Sequence, residues 1–167
     1  MNIYRYCSNN VVNATDPSGL CPPITRDGQI AIDDDGKGEK HDDPDHKPHT
    51  SGKMDKNGDI VPAGDTEGLN ADTDSYGVAP KDLASANGGP LNVGDKMDVT
   101  LPDGTTIHTR IGDFGPEGGN GEISKKAADD AGIATHDVPG KGPIPGKDSK
   151  SPDIKVKVTY YPGTHKK

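Results

Sequence analysis

Three stretches of this chain alternate apolar and polar residues, and all of them lie in its second half. Lys96-Met97-Asp98-Val99-Thr100-Leu101 alternates, Pro102-Asp103-Gly104 turns the chain, and Thr105-Thr106-Ile107-His108-Thr109-Arg110-Ile111 returns. A period of two on both sides of a Gly-containing turn predicts a β-hairpin. Residues 153–161 alternate again, with Ile154, Val156, Val158 and Tyr160 on one side and lysines on the other, which predicts a late strand that closes the sheet. Between these, residues 122–131 predict one short helix: Ile123, Ala127 and Ala131 share a stripe and Gly132 stands where a helix ends. A stripe made mostly of alanine lets that helix lie close against the sheet.

The apolar material for a core is scarce. Leu, Ile, Val and Phe supply 26 of 167 residues, below the roughly 20% under which disorder competes with folding. Gly and Pro together number 38 and the net charge is −8, so the expectation is a small, loop-rich domain behind an unstructured lead. An acidic chain with one Phe and no Trp lacks the basic footprint and the stacking platforms of a nucleic-acid binder. No run approaches the ~18 apolar residues of a membrane span. Met1-Asn2-Ile3-Tyr4-Arg5 leads into polar sequence rather than an apolar signal core, so export is expected to rely on other machinery. Cys7 and Cys21 both fall in the first segment, either as a short-loop disulfide or as two free thiols.

The chain divides into three pieces: residues 1–23, an acidic loop-rich segment 24–68 expected to pack in part on the domain that follows, and residues 69–167, where the core must lie. The middle piece is rich in Asp, Gly, Lys and His without apolar periodicity. Ile32-Asp33-Asp34-Asp35-Gly36 is similar to the opening of a calcium loop, but no Glu stands twelfth from Asp33. His41, His46 and His49, spaced by five and three, suit neither a helical pair nor a zinc finger. Solvated side chains are the expectation for both groups, and neither a metal nor a cofactor is expected.

The residues suited to chemistry lie after the hairpin. Asp113 follows its second strand between Gly112 and Gly115, and Glu122 stands nine positions on, beyond Glu117-Gly118-Gly119-Asn120-Gly121. A loop of that length can bring both carboxylates to one cleft, as acid–base hydrolysis of a sugar bond requires: one carboxyl protonates the leaving oxygen while the other, ionised, activates water or attacks. A carboxylate at a helix amino terminus is favoured in its charged form, so Glu122 is expected as the base and Asp113 as the acid. The plainer reading has Glu122 and Ser124 capping the helix and Asp113 supporting a turn.

Two family resemblances add to this. Arg110-Ile111-Gly112-Asp113-Phe114-Gly115-Pro116, then Gly121-Glu122-Ile123-Ser124, Ala127-Ala128 and Ala131-Gly132-Ile133 resemble the chitosanases of glycoside hydrolase family seventy-five. Asp33-Asp34-Asp35-Gly36, residues 69–80 with Asp72 and Tyr76, and Tyr160-Tyr161-Pro162-Gly163-Thr164 resemble further segments of that family. The resemblance implies catalytic carboxylates at Asp113 and Glu122 and substrate contacts at Asp33, Asp35, Asp72, Tyr76 and Ser124. Departures fall at Phe114, at the Gly-rich linker and at Tyr161, and bear on the substrate more than on the pair. The Asp-x-Gly-Pro, Ser-x-x-Ala-Ala and Gly-Ile signature also resembles double-psi β-barrels of the expansin type. The expected fold is thus mainly β: a small six-stranded double-psi-like β-barrel with one short helix, long loops and a poorly structured N-terminal lead.

Asn2, Tyr4, Tyr6, Asn9, Asn10, Asp16, Pro17, Gly19 and Leu20 resemble the end of an Rhs (YD-repeat) core, where a β-cocoon meets its variable toxin. Together the two resemblances imply an antibacterial Rhs effector that hydrolyses peptidoglycan or chitosan-like glycan in the periplasm or cell wall of a target bacterium. They imply as partners the polysaccharide, the Rhs core and a cognate immunity protein, with no nucleic acid and no membrane. The alternatives are a non-hydrolytic, expansin-like glycan-binding module, and a metal-dependent nuclease built on His41, His46 and His49.

Overall fold

The computed structural model describes residues 21–33, 50–64, 68–115, 117–133, 135–138, 142–145 and 155–165. Most of the Rhs-like segment, Asp35 and the three histidines 41, 46 and 49 lie outside these residues. The fold is mainly β: a seven-stranded sheet curled into a half-barrel, two small two-stranded sheets and one short helix.

The expected hairpin forms as β6 (Lys96–Thr100) and β7 (Thr106–Gly115), paired from Lys96↔Arg110 to Thr100↔Thr106. Its turn is closed by Leu101 N–H donating to Thr105 O, and by Thr105 N–H donating to Asp103 Oδ1 at 2.8 Å. The late strand is β11 (Lys155–Tyr161), with Val156, Val158 and Tyr160 buried and Lys155 and Lys157 exposed, as the alternation requires. It lies between β6 and β1 (Ile24–Gln29) and pairs antiparallel with both. On the other side, β7 runs parallel to β5 (Gly77–Pro80), β5 antiparallel to β8 (Glu122–Ser124), and β8 parallel to β2 (Ala31–Asp33).

The sheet order is therefore β1-β11-β6-β7-β5-β8-β2. Its two edge strands, β1 and β2, are separated in the chain by Ile30 alone. One extended segment, residues 24–33, thus serves both edges, and the sheet has to curl for that segment to reach both partners. Counted as a single stave, it brings the number of staves to the expected six. It also places the start of the barrel well before residue 69, inside the segment read as loop-rich.

The curl encloses one core. Ile30, Ile32, Met97, Val99, Ile107, Ile111, Ile123, Val156, Val158 and Tyr160 point into it, closed off by Leu91, Ala127, Ala128 and Ile133. A second, smaller cluster of Ile60, Leu69, Ala71, Tyr76 and Val78 covers the opposite face of β5. Its lid is a hairpin the sequence reading missed, β3 (Gly52–Met54) and β4 (Ile60–Pro62), inside the acidic segment. Asp55 closes that turn by accepting the N–H groups of Asn57 and Asp59. Strands of three residues are too short to show a period, although Asn57-Gly58 is a turn signal.

The helix is shorter than expected. It runs as α1 (Lys125–Asp130), and residues 122–124 belong to β8 instead, because neighbours on both sides recruit them into the sheet. Ser124 is the N-cap, its Oγ accepting from Ala127 N–H. At the other end Gly132 takes a positive φ, Gly132 N–H donates to Asp129 O and Ile133 N–H to Ala128 O, the Schellman arrangement that stops a helix. The remaining pair, β9 (Thr135–Val138) and β10 (Gly142–Pro145), packs against β2. Cys21 is buried and disulfide-bonded, and Cys7 lies outside the described residues. Among the described residues no helix is long and apolar enough to cross a membrane.

Candidate functional site

Along β7 the side chains of Ile107, Thr109 and Ile111 are buried in alternation, so a regular strand would bury Asp113 next. It does not, because the register against β5 slips: Gly77 pairs with Ile111, but Val78 pairs with Asp113, leaving Gly112 as the extra residue of a bulge. A bulge turns every later side chain to the other face. Phe114 accordingly packs against the barrel core, opposite Ala79, and Asp113 looks outward. Gly112 is required by the space available, since a Cβ there would lie 2.4 Å from Leu69 Cδ1 and 2.9 Å from Tyr76 Cβ.

Val78 is also the partner of Glu122 on its other side. Asp113, Val78, Glu122 and Ala31 thus stand in one row across β7, β5, β8 and β2. Residues in one row share a face, and two strand spacings separate the Cα atoms of Asp113 and Glu122 by about 9–10 Å. Both side chains are half-buried. Asp113 is oriented by Ser51 at the start of the lid hairpin: Ser51 N–H and Ser51 Oγ–H both donate to Oδ1, at 2.9 and 2.6 Å. Among the described residues Oδ2 has no such partner. Ser51 was missed because nothing in the polar run around it distinguishes one serine from a loop residue.

Glu122 lies three residues ahead of the first residue of α1, in a strand, with Ser124 as the cap. The division of acid and base expected from a helix dipole therefore has no footing in this fold, and Ser124 supplies the N-cap.

The expected substrate contacts separate into two groups. Asp33, Tyr76 and Ser124 come together, but as buried support: Tyr76 Oη donates to Asp33 Oδ2 at 2.6 Å, and Ser124 Oγ accepts Tyr76 N–H at 3.1 Å. Tyr76 and Ser124 are fully buried and Asp33 is 5% exposed, so they brace the row from beside it on the same face, where burial leaves them little surface for a ligand. Asp72 is exposed, in the turn where its N–H donates to Asn70 Oδ1. That turn is tied to the helix by Lys126 N–H donating to Ala71 O. Asp35 and the candidate histidine ligands lie outside the described residues, and among those described no group of three or more His, Cys, Asp or Glu could hold a metal ion.

The loop between the two carboxylates is anchored by side chains the sequence did not single out. Arg26 donates to Gly119 O and to Asp82, Asp82 accepts Gly118 N–H, and Tyr160 Oη donates to Asn120 O. Burial pushes the Tyr160 phenol up from its ordinary value, which keeps it a donor. Comparison with known proteins adds no identity: no family model matches the chain, and no curated protein matches it.

Proposed function

We propose that this chain is a glycoside hydrolase that cleaves amino-sugar polymers, peptidoglycan glycan strands or chitosan-like glycan, with Asp113 and Glu122 as its acid–base pair. The observation that carries the reading is the Gly112 bulge, which turns Asp113 onto the face of Glu122 and into its row. In such a mechanism one carboxyl gives its proton to the leaving oxygen while the other, ionised, takes a proton from attacking water. A backbone separation of two strand spacings supports the inverting form, in which roughly 6.5–9.5 Å between carboxyls leaves room for that water. The resemblance of residues 1–23 to the end of an Rhs core supports delivery as an antibacterial effector. Its partners are then the core that carries it, a glycan in the target's periplasm or wall, and an immunity protein in the producing cell.

The test is to incubate the protein and its Asp113→Asn and Glu122→Gln forms with purified peptidoglycan and with chitosan, and to identify released fragments by mass and anomer by NMR. The expected result is turnover by the native chain with inversion, reduced about a hundred- to ten-thousandfold in each variant while folding is kept. Release of nothing by the native chain, with Glu122→Gln still binding glycan and still toxic, would instead establish a non-hydrolytic binding module.

A further inference from the structure

Six residues, 116–121, connect β7 to Glu122, and three of them are glycine. Glycine loses more backbone freedom on ordering than any other residue, so the loop does not set its own path. One ion pair does. The Arg26 guanidinium divides its donors, Nη1 to Gly119 O at 2.7 Å and Nη2 to Asp82 Oδ2 at 2.6 Å. Asp82 lies in the 3₁₀ turn Lys81–Leu83 that directly follows β5, and its Oδ1 accepts Gly118 N–H at 3.3 Å. The pair thus holds the N–H of one loop residue and the carbonyl of the next, and Tyr160 holds the carbonyl of the one after.

The two halves of the clamp come from β1 and from the end of β5, the strand whose Val78 separates the two carboxylates. We propose that Arg26 and Asp82 are positioning residues for Glu122: their ion pair fixes the loop so that Glu122 enters β8 opposite Val78 and level with Asp113. This rests on the two-carboxylate reading, which gives the clamp its catalytic consequence. An arginine is needed because its planar fork serves two acceptors in different directions, whereas a lysine is a single point of charge. Asp82 is 40% exposed, and solvent-screened pairs contribute little to global stability. The effect of removing the pair falls on the loop and not on the melting temperature.

The experiment compares the full chain with Arg26→Ala, Arg26→Lys and Asp82→Asn, reading amide exchange and steady-state kinetics on whichever glycan the native protein cleaves. Exchange at residues 117–121 is expected to rise about tenfold in Arg26→Ala, with residues 96–111 unchanged. The value of kcat is expected to fall by about ten- to a hundredfold, with KM within about twofold. Arg26→Lys should recover part of kcat, and Asp82→Asn should repeat the loss should Arg26→Ala fold poorly. Unchanged loop exchange, or a loosened loop with undiminished kcat, overturns the proposal. A native chain that cleaves neither glycan overturns the two-carboxylate reading and the catalytic role with it, and the exchange result then still decides whether the ion pair holds the loop.

Discussion

Asp113 and Ile111 lie two residues apart on one strand yet face opposite sides of the sheet, because Gly112 is bulged out between them. Gly112→Ala places a methyl group against Leu69 and Tyr76 at distances no side chain tolerates without movement. The variant is expected to lose about 1–3 kcal/mol of stability and to lose glycan turnover beyond what the lower stability explains. Urea unfolding together with the glycan assay checks both, and a variant of native stability and native turnover would show that the bulge is dispensable.

Ser51→Ala removes the 2.6 Å hydroxyl bond to Asp113 and keeps the backbone N–H bond. Ser51 is exposed, so thermal melting should barely move. With one of the two donors that orient the carboxyl gone, turnover should drop by roughly tenfold, mainly in kcat. Kinetics equal to the native protein's would mean the backbone bond alone orients the carboxylate.

Ser124→Ala should behave in the opposite manner. Its buried Oγ accepts the N–H groups of Tyr76 and Ala127, and losing the acceptor leaves two donors unmet. The expected cost is about 1–3 kcal/mol in urea unfolding, with activity lost only in proportion to folded protein.

The clamp has a defined acid limit. The hydrogen bond from Arg26 holds the Asp82 carboxyl below its ordinary value of 3.8, against a smaller opposing effect of burial. A carboxyl depressed in the folded state contributes stability that is present above its unfolded pKa and is lost as pH falls through the folded one. The Gly118 and Gly119 amide resonances should therefore titrate with a midpoint below 3.8, and Asp82→Asn should abolish that step. A midpoint above 3.8 in the native protein would contradict the pairing.

Residues 96–111 and 155–161 were legible because each buries one face, so period two shows in the sequence itself. Gly132 likewise announced the end of the helix. The helix start was not legible, since Glu122 and Ile123 suit a first helical turn as well as a strand, and only pairing with Val78 and Ala31 decides between them. The lid hairpin was hidden by its brevity. The candidate pair itself was readable from the spacing of Asp113 and Glu122, but their common face was not. Plain alternation from Ile111 points Asp113 inward, and the slip that reverses it depends on a parallel strand some thirty residues earlier in the chain. Arg26, Asp82 and Ser51 belong to the same class, being ordinary polar residues whose partners are distant in sequence.

The stave formed by residues 155–161 comes after every other stave in chain order, yet it sits between two of them and satisfies the edges of both. A nascent chain that has not yet reached Lys155 leaves β1 and β6 without their shared neighbour. Pairing among the described strands is therefore complete only once translation has passed Tyr161, so the two halves of the sheet are joined through the strand that is made after them.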